Sequence, residues 1–122
     1  MNNCTFCKII NGDIPCRKIY EDDIVIAFLD INPVTPGHTL VIPKVHTLDI
    51  QTIDKNTLIR IIEIVKKLSE DIKEKLNAVG YTILQNNGIA EDVKHFHMQI
   101  IPKYKNNINL SLDDDFKKIK NN

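Results

Sequence analysis

The feature that most constrains the fold is one long helix pattern set between short strand patterns. From about Ile53 to Asn77, apolar residues recur every three or four positions, the period of a helix with one buried face. Asp54 is a suitable N-cap, and Gly80 follows the helix end. Strand patterns precede the helix at RKIY, IVIAFLDI and HTLVIPK and follow it at YTILQNN and HFHMQIIP. This order predicts an α+β domain with an antiparallel sheet of about five strands.

The ends of the chain add one short helix and a tail to this prediction. The short helix pattern runs from about Thr5 to Asn11 and closes at Gly12. Residues 105–122 are polar and are expected to form a C-terminal tail. A chain of 122 residues has the size of one domain, and no repeat or linker divides its sequence. We therefore expect a single domain over residues 1–122, with one long and one short helix packed with the sheet.

The charge balance and the N-terminal sequence narrow the classes of function. Sixteen basic and sixteen acidic side chains give a net charge of +0 at pH 7. Nucleic acids and acidic membranes bind basic surfaces, so no partner of either kind is expected and a small ligand or a protein is favoured. The N-terminus does not resemble a secretory signal, and no run of about 18 apolar residues occurs. The expected location is the cytoplasm.

The segment KHFHMQII, residues 94–101, alternates polar and apolar side chains with the period of a strand. His95, His97 and Gln99 then share one face, while the apolar residues between them share the face that can cover the long helix. The polar face can present a catalytic or binding site. On this motif alone, half-buried histidines with structural hydrogen bonds explain the pattern equally well.

Three cysteines lie near the N-terminus. Cys4 and Cys7 form a CxxC pair, which is half of a tetrahedral zinc site. An odd number of closely spaced thiols favours a metal or free thiols over a disulfide framework, and two reduced structural cysteines are the alternative. Cys16 has no partner at metal-binding spacing and is expected to be inert.

Taken together, these motifs resemble the histidine-triad (HIT) family, in its branch of small HINT-like nucleotide-binding proteins. The resemblance covers about residues 4–104 and rests on CTFCKIINGDIP, YEDDIVIAFLDINPVTPGHTLVIPKVH, NNG and HFHMQIIP in family order. It implies a HIT-like fold, a homodimer, and an enzyme that hydrolyses or transfers purine nucleoside monophosphate derivatives. Phosphoramidates, adenylates and dinucleoside polyphosphates are the implied substrates.

The resemblance also implies roles for individual residues. His97 is the nucleophile that attacks the α-phosphate and forms a nucleotidyl-histidine intermediate, which divides one difficult displacement into two easier steps. Asp30 accepts hydrogen bonds from the ribose hydroxyls, Asn86 and Gln99 lie near the phosphate, and His38 borders the site. The walls of the base pocket are Phe6, Ile9, Phe28, Ile31 and Leu40. Each of these apolar residues fits an ordinary core equally well, Asp30 fits a turn, and His38 fits a local structural role.

The metal site is completed by the same resemblance. His46, in the PKxH segment, and His95 join Cys4 and Cys7 as ligands of one structural Zn²⁺ per chain. A closed site with four protein ligands leaves no open position for a substrate water, so this zinc organises the fold and takes no part in the chemistry. His95 and His97 then have separate tasks on one strand.

Two departures from the family pattern bear on activity. The third histidine of the triad is replaced by Gln99, which donates hydrogen bonds but does not relay a proton; where the leaving group needs one, the loss is about 10²- to 10⁴-fold in rate. An HxHxQ motif is also typical of the nucleotidyltransferase branch of the superfamily. The loop GIAEDVKH is shorter than the family pattern, and Glu91 and Asp92 bring negative charge toward a phosphate. A nucleotide-binding module with weakened catalysis is therefore the alternative to an active enzyme.

Overall fold

The computed structural model describes residues 4–88, 93–106 and 109–120. Its elements, in chain order, are α1 (Thr5–Ile10), β1 (Lys18–Glu21), β2 (Val25–Leu29), β3 (Thr39–Pro43), α2 (Lys55–Leu76), β4 (Gly80–Gln85), β5 (Met98–Lys103) and α3 (Leu112–Lys120). The five strands form one sheet in the order β1-β2-β3-β5-β4, with every neighbouring pair antiparallel. The predicted α+β class, the sheet, the long helix and the short helix are confirmed. No helix in the described ranges is long and apolar enough to cross a membrane.

The strands β2 and β3 form the buried centre of the sheet. Every residue of β2 and β3 is buried, which explains why VIAFL and TLVIP are nearly continuous apolar runs. Their register runs from Val25 opposite Pro43 to Leu29 opposite Thr39. Just beyond this register, the backbone N–H of Asp30 donates to the carbonyl of His38 at 2.9 Å. The central pair of strands therefore fixes Asp30 and His38 side by side.

The two faces of the sheet carry separate apolar clusters. On one face, α2 packs on the odd residues of β2, on Val41 of β3 and on Ile100 of β5, and Phe96 joins this cluster. On the other face, Phe6 of α1 packs against the even residues of β2 and β3. Phe96 and Ile100 thus lie on the helix side, as the alternation of KHFHMQII predicts. The face opposite α2 remains for the polar residues of that segment.

The ends of α2 match the predicted helix closely. The Asp54 carboxylate accepts the backbone N–H of Thr57 at 3.2 Å, which confirms Asp54 as the N-cap. The helix ends at Leu76, and the φ of 58° at its C-cap, Asn77, lies in the left-handed region. Asn77 therefore makes the turn out of the helix, and Gly80 is already the first residue of β4.

Residues near the C-terminus form a helix where a polar tail was expected. Residues 105–122 were expected to be a polar tail, but α3 packs on α2 and β1. Ile119 is buried, the Arg17 guanidinium binds Asp113 at 3.0 Å, and Lys75 Nζ donates to the Ile119 carbonyl at 2.6 Å. The acidic first turn and basic last turn complement the helix dipole, which favours a helix in a segment with few apolar residues.

Candidate active site and metal centre

The four predicted metal ligands lie together in the structure. One ligand atom from each of Cys4, Cys7, His46 and His95 lies within 4.8 Å of the others. Sγ of Cys4 is 3.4 Å from Nδ1 of His95, and Sγ of Cys7 is 3.2 Å from Nδ1 of His46. Ligands of a tetrahedral zinc with Zn–S of about 2.3 Å and Zn–N of about 2.0 Å are separated by about 3.3 to 3.8 Å. The sulfur–nitrogen distances therefore fit a tetrahedral zinc site.

The tautomer of His95 also fits a metal ligand. Nε2 of His95 lies 2.8 Å from the Pro43 carbonyl oxygen, which only accepts hydrogen bonds, so Nε2 carries the proton. The lone pair is then on Nδ1, the atom that faces the cysteines. Burial lowers the pKa of His95 to about 4, which keeps the imidazole neutral at neutral pH. A carbonyl that fixes the orientation of a ligating histidine is a common support of zinc sites.

The two thiols are arranged for a shared cation. Cys4 is the N-cap of α1, and its Sγ accepts the backbone N–H of Cys7 at 3.4 Å. Burial raises the pKa of Cys7, and the hydrogen bond and negative charge of Cys4 raise it further, since two neighbouring thiolates repel each other. A divalent cation removes that repulsion. When bound, zinc would cross-link α1, the segment after β3 and the segment before β5.

Cys16 belongs to a different environment. It is half-buried beside the apolar cluster of α1 and β2, outside the metal set. Burial raises the pKa of the Cys16 thiol, which lowers its reactivity.

His97 lies next to the metal set and is held as a specific tautomer. Nδ1 of His97 lies 2.7 Å from the carbonyl oxygen of His95, so Nδ1 carries the proton and the lone pair is on Nε2. The Phe6 ring contacts both histidines edge-on, with centroids 5.2 Å from His97 and 5.8 Å from His95. His97 is buried at 6% exposure and reaches a surface cavity. A neutral imidazole with its lone pair on Nε2 is suited to nucleophilic attack.

The cavity beside His97 has a volume of about 510 Å³ and is lined by most of the predicted catalytic and nucleotide-binding residues. Predicted residues in its lining are Phe6, Asp30, Ile31, Leu40, Asn86, His97 and Gln99. Thr5, Asn32 and Val93 also line it and were not predicted. Thr5 and Asn32 are sequence neighbours of Phe6 and Ile31, so their proximity was the one available signal. A concave site of this size that combines polar side chains with apolar walls can hold a small polar molecule.

Three predicted residues lie behind the cavity lining. Phe28 and Ile9 pack with Phe6 and Leu40 in the apolar cluster on the α1 face of the sheet. His38 is buried at 4% exposure and contacts Gln99. Their position supports the lining residues from behind. Ile31, by contrast, is 73% exposed and forms part of the rim.

Buried His38 contacts two polar residues of the cavity lining. The backbone N–H of Val34 donates to Nδ1 of His38 at 3.1 Å, and Nε2 of His38 lies 2.8 Å from Oε1 of Gln99. Oδ2 of Asp30 is 3.6 Å from the same Nε2, and Oδ1 of Asp30 accepts the backbone N–H of Asn32 at 2.9 Å. His38 thus stands between Asp30 and Gln99.

The predicted phosphate loop is described only at its ends. Asn86 lines the main cavity and also a second cavity of about 190 Å³, which is bounded by Gly88 and Lys94. Nζ of Lys94 donates to the Gly88 carbonyl at 3.1 Å and joins the two ends of the loop. Glu91 and Asp92, expected to bring negative charge toward the phosphate, lie outside the described residues.

The fold and site define a small α+β domain that places a histidine-lined cleft beside a four-ligand thiol–imidazole cluster. A model of the HIT domain matches residues 11–106, and the chain belongs to the HIT family. This family accounts for the fold, because solved HIT structures superimpose on nearly the whole chain. A HIT-like protein from Bartonella henselae is 41% identical with a TM-score of 0.90, covering 98% of this chain and 96% of its own.

Other relatives are similar to the chain and carry more specific names. An adenosine 5′-monophosphoramidase from Schizosaccharomyces pombe is 45% identical over 83% of this chain and 74% of its own length. An adenylylsulfatase from Arabidopsis thaliana is 38% identical over 84% of this chain and 53% of its own. A zinc-bound histidine triad protein from Mycobacterium smegmatis has a TM-score of 0.90 at 31% identity, covering 98% of this chain and 91% of its own.

Proposed function

We propose that this protein hydrolyses or transfers purine nucleoside monophosphate derivatives through a nucleotidyl intermediate on His97. The observation that carries the proposal is the hydrogen bond from Nδ1 of His97 to the His95 carbonyl, which sets the tautomer with the lone pair on Nε2, in a side chain that lines the cavity. The relatives named adenosine 5′-monophosphoramidase and adenylylsulfatase support a nucleotide substrate. Phosphoramidates, adenylates and dinucleoside polyphosphates are the proposed substrate classes.

The proposed reaction has two steps. Nε2 of His97 attacks the α-phosphorus, the bond from phosphorus to the leaving group breaks, and the electron pair goes to the leaving group. A water molecule, which gives up one proton to the solvent, or another acceptor then attacks the phosphorus. The phosphorus–nitrogen bond breaks, its electron pair returns to Nε2 of His97, and the nucleotide is released. Each step is a displacement at the same phosphorus, so one difficult transfer is divided into two easier steps.

The cavity residues supply the proposed binding contacts. The Asp30 carboxylate accepts hydrogen bonds from the ribose hydroxyls, and Gln99 and Asn86 donate to the phosphate. The base lies against Phe6, Leu40 and the rim residue Ile31, with Phe28 and Ile9 as the second layer and His38 at the border of the site. An aromatic edge and aliphatic walls suit a flat purine ring.

The proposed cofactor is one structural Zn²⁺, held by Cys4, Cys7, His46 and His95. These residues fit the ion by distance, by donor type and by the tautomer of His95. The zinc-bound relative from Mycobacterium smegmatis adds support. A bound ion would fix α1, which carries Phe6 and Thr5 into the wall of the cavity.

A homodimer in the cytoplasm completes the proposal. β4 is an edge strand of the described sheet, and Val79 and Ile83 beside its free edge are 62% and 36% exposed. A second copy that pairs along β4 would cover both side chains and satisfy the strand edge. Sedimentation velocity tests this, with Ile83→Lys as the variant expected to shift the protein to monomer. Reduced ligand thiols support a cytoplasmic location.

A second candidate function is nucleotide binding without efficient turnover, and the replacement of the third triad histidine by Gln99 favours it. The two are separated by measuring AMP binding calorimetrically and turnover of an adenylate with a good leaving group on the same preparation. Turnover that is lost in His97→Gln, with AMP binding retained, supports the enzyme. AMP binding without turnover in the wild type identifies the binding module, and absence of both overturns the proposed function.

A further inference from the structure

We propose that His38 is a positioning residue that fixes the Gln99 amide with its NH2 group toward the cavity. The site then selects nucleotides whose leaving group departs as a stable anion. This inference rests on the proposed function for its chemistry, but its structural part is independent of turnover. The observation that carries it is the chain from the Val34 backbone through the His38 ring to Gln99.

The tautomer of His38 follows from a backbone donor. The Val34 N–H donates to Nδ1 at 3.1 Å, so Nδ1 holds a lone pair and the ring proton of the neutral imidazole is on Nε2. Oδ2 of Asp30, 3.6 Å from Nε2, adds a negative charge on the side where that proton lies. Both neighbours therefore favour the same tautomer.

The orientation of the Gln99 amide follows from that tautomer. The Nε2–H of His38 needs an acceptor, so the Gln99 atom at 2.8 Å is Oε1. Gln99 lines the cavity, and with Oε1 engaged by His38, the NH2 group is the part of the carboxamide left to donate to a ligand. Without this contact, the Gln99 amide could turn either its oxygen or its NH2 group toward the cavity. The hydrogen bond from His38 to Oε1 favours the orientation with NH2 toward the cavity.

The surroundings of His38 hold its ring in place. The side chain is 4% exposed, and its backbone makes two hydrogen bonds: its carbonyl accepts from Asp30 N–H at 2.9 Å, and its N–H donates to the Thr35 carbonyl at 3.2 Å. Gly37, with φ of 84°, makes the turn before it, and a Cβ there would lie 2.6 Å from Leu76. Because His38 is held in place, the Gln99 NH2 group that it orients needs little rearrangement when a ligand binds.

This arrangement limits the chemistry at the leaving group. An amide NH2 donates a hydrogen bond to a phosphoryl or leaving-group oxygen, but it does not give up a proton. The Nε2 proton of His38 is already committed to Oε1 of Gln99. When the bond from phosphorus to the leaving atom breaks, that atom keeps the electron pair as an anion stabilised by the Gln99 N–H. Carboxylates, sulfate, nucleotide phosphates and acidic phenols tolerate this charge, whereas amines and alkoxides do not. Within the proposed substrate classes, the site therefore favours adenylates and dinucleoside polyphosphates over phosphoramidates.

A series of adenosine 5′-aryl phosphates, whose phenols differ in pKa, tests the specificity claim. We expect kcat/KM of the wild type to fall steeply as the phenol becomes less acidic, and Gln99→His to flatten that dependence. Relative to the most acidic phenol, the rate of the variant on the least acidic phenol is expected to rise about 10²- to 10⁴-fold over the same ratio in the wild type. Equal slopes for the two proteins would overturn the specificity claim.

The positioning role is tested with a matched pair of His38 variants. His38→Gln keeps a donor near the position of Nε2, whereas His38→Asn keeps an acceptor near Nδ1 but no donor that reaches Gln99. We expect His38→Asn to lower kcat/KM about 10-fold, as for one lost hydrogen bond, and His38→Gln to restore most of it. In a Gln99→Ala background the same replacement is expected to have little effect. An equal loss in both backgrounds would mean that His38 acts on the fold and not through Gln99.

Nitrogen-15 NMR of the full-length wild-type protein decides the structural part without any turnover. We expect the His38 spectrum of a ring protonated at Nε2 and unprotonated at Nδ1, with a coupling or cross-peak to Gln99. A proton on Nδ1 overturns the positioning claim. A wild type that turns over no aryl phosphate but has the expected tautomer would overturn the proposed function and the specificity claim while confirming the positioning claim.

Discussion

At the scale of single residues, the Asp22 carboxylate accepts more hydrogen bonds than any other carboxylate among the described residues. It accepts the Tyr20 hydroxyl at 2.7 Å, the backbone N–H groups of Ile24 and Val25 at 2.8 Å each, and the Arg60 guanidinium at 2.8 Å. These bonds close the β1–β2 turn and tie it to α2. Burial opposes the charged carboxylate, but these donors outweigh it and hold the pKa of Asp22 well below its usual range.

We predict that Asp22→Asn destabilises the protein by about 1.5 to 3 kcal/mol at pH 7, the usual contribution of hydrogen bonds to a charged group. Because the folded pKa is depressed, this stabilisation is present above the unfolded pKa of 3.8 and is lost as pH falls toward the folded value. Urea unfolding at several pH values measures both effects. The stability difference between wild type and variant should shrink below about pH 4.

The neighbouring Asp23 provides the control for that prediction. Asp23 is exposed, and Asp23→Asn removes the same charge from the same turn without the contacts of Asp22. We expect it to change the free energy of unfolding by less than about 0.5 kcal/mol. Equal effects of the two substitutions would contradict the assigned role of Asp22.

At the scale of helices and strands, local patterns predicted most elements, and contacts distant in sequence decided the rest. Helical periodicity located α2 and continuous apolar runs located β2 and β3, because these patterns reflect burial along one segment. The three apolar positions of α3, Leu112, Phe116 and Ile119, are spaced as one helix face but are too few to stand out among charged neighbours. Packing on α2 makes that short helix stable.

The same distinction applies to the candidate site. The CxxC pair and the alternation around His97 are local patterns, and they made Cys4, Cys7 and the face of His97 candidates. The family resemblance, and no local pattern, supplied His46, Asp30 and the walls of the base pocket. The contact of His38 with Gln99 joins positions 61 residues apart, and no local pattern specifies it. The sheet creates this contact by pairing β3 with β5.

We predict that α3 contributes measurably to stability. Ile119→Ala should lower the free energy of unfolding by about 2 kcal/mol, at the low end for a buried isoleucine because the site lies near the chain end. Lys117→Ala, on the exposed side of the same helix, is the matched control and should be nearly neutral. Guanidinium unfolding measures both. An equally small effect of the two substitutions would show that α3 is not packed in solution.

The metal set acts at the same scale, because it anchors α1. We predict about one zinc per chain in protein purified without added metal, and its loss in Cys7→Ser. Loss of zinc should also weaken AMP binding, since Phe6 and Thr5 of α1 line the cavity. Elemental analysis measures the zinc content and calorimetry measures AMP binding. Cys16→Ser is the control, and it should retain the zinc and the AMP affinity of the wild type. Metal-free wild type with Cys4 and Cys7 fully titratable by a thiol reagent would contradict the site.

At the scale of the whole molecule, the sheet separates stability from function. The face covered by α2 holds the larger apolar cluster, whereas the opposite face carries α1, the metal set and the cavity. The cavity collects residues from α1, from both sides of the β2–β3 connection and from β5. His95 connects the metal set with the proposed nucleophile. Its ring faces the cysteines, and its carbonyl oxygen accepts the hydrogen bond from His97.

The central claim is that His97 becomes covalently attached to a nucleotide. Intact-mass spectrometry, after rapid mixing with an adenylate that has a good leaving group, tests it most directly in wild type, His97→Gln and Gln99→His. We predict an adenylyl adduct in the wild type and in Gln99→His, and none in His97→Gln, with the label mapped to His97 by peptide analysis. Turnover of the adenylate without any adduct on His97, or an adduct that persists in His97→Gln, would contradict the account.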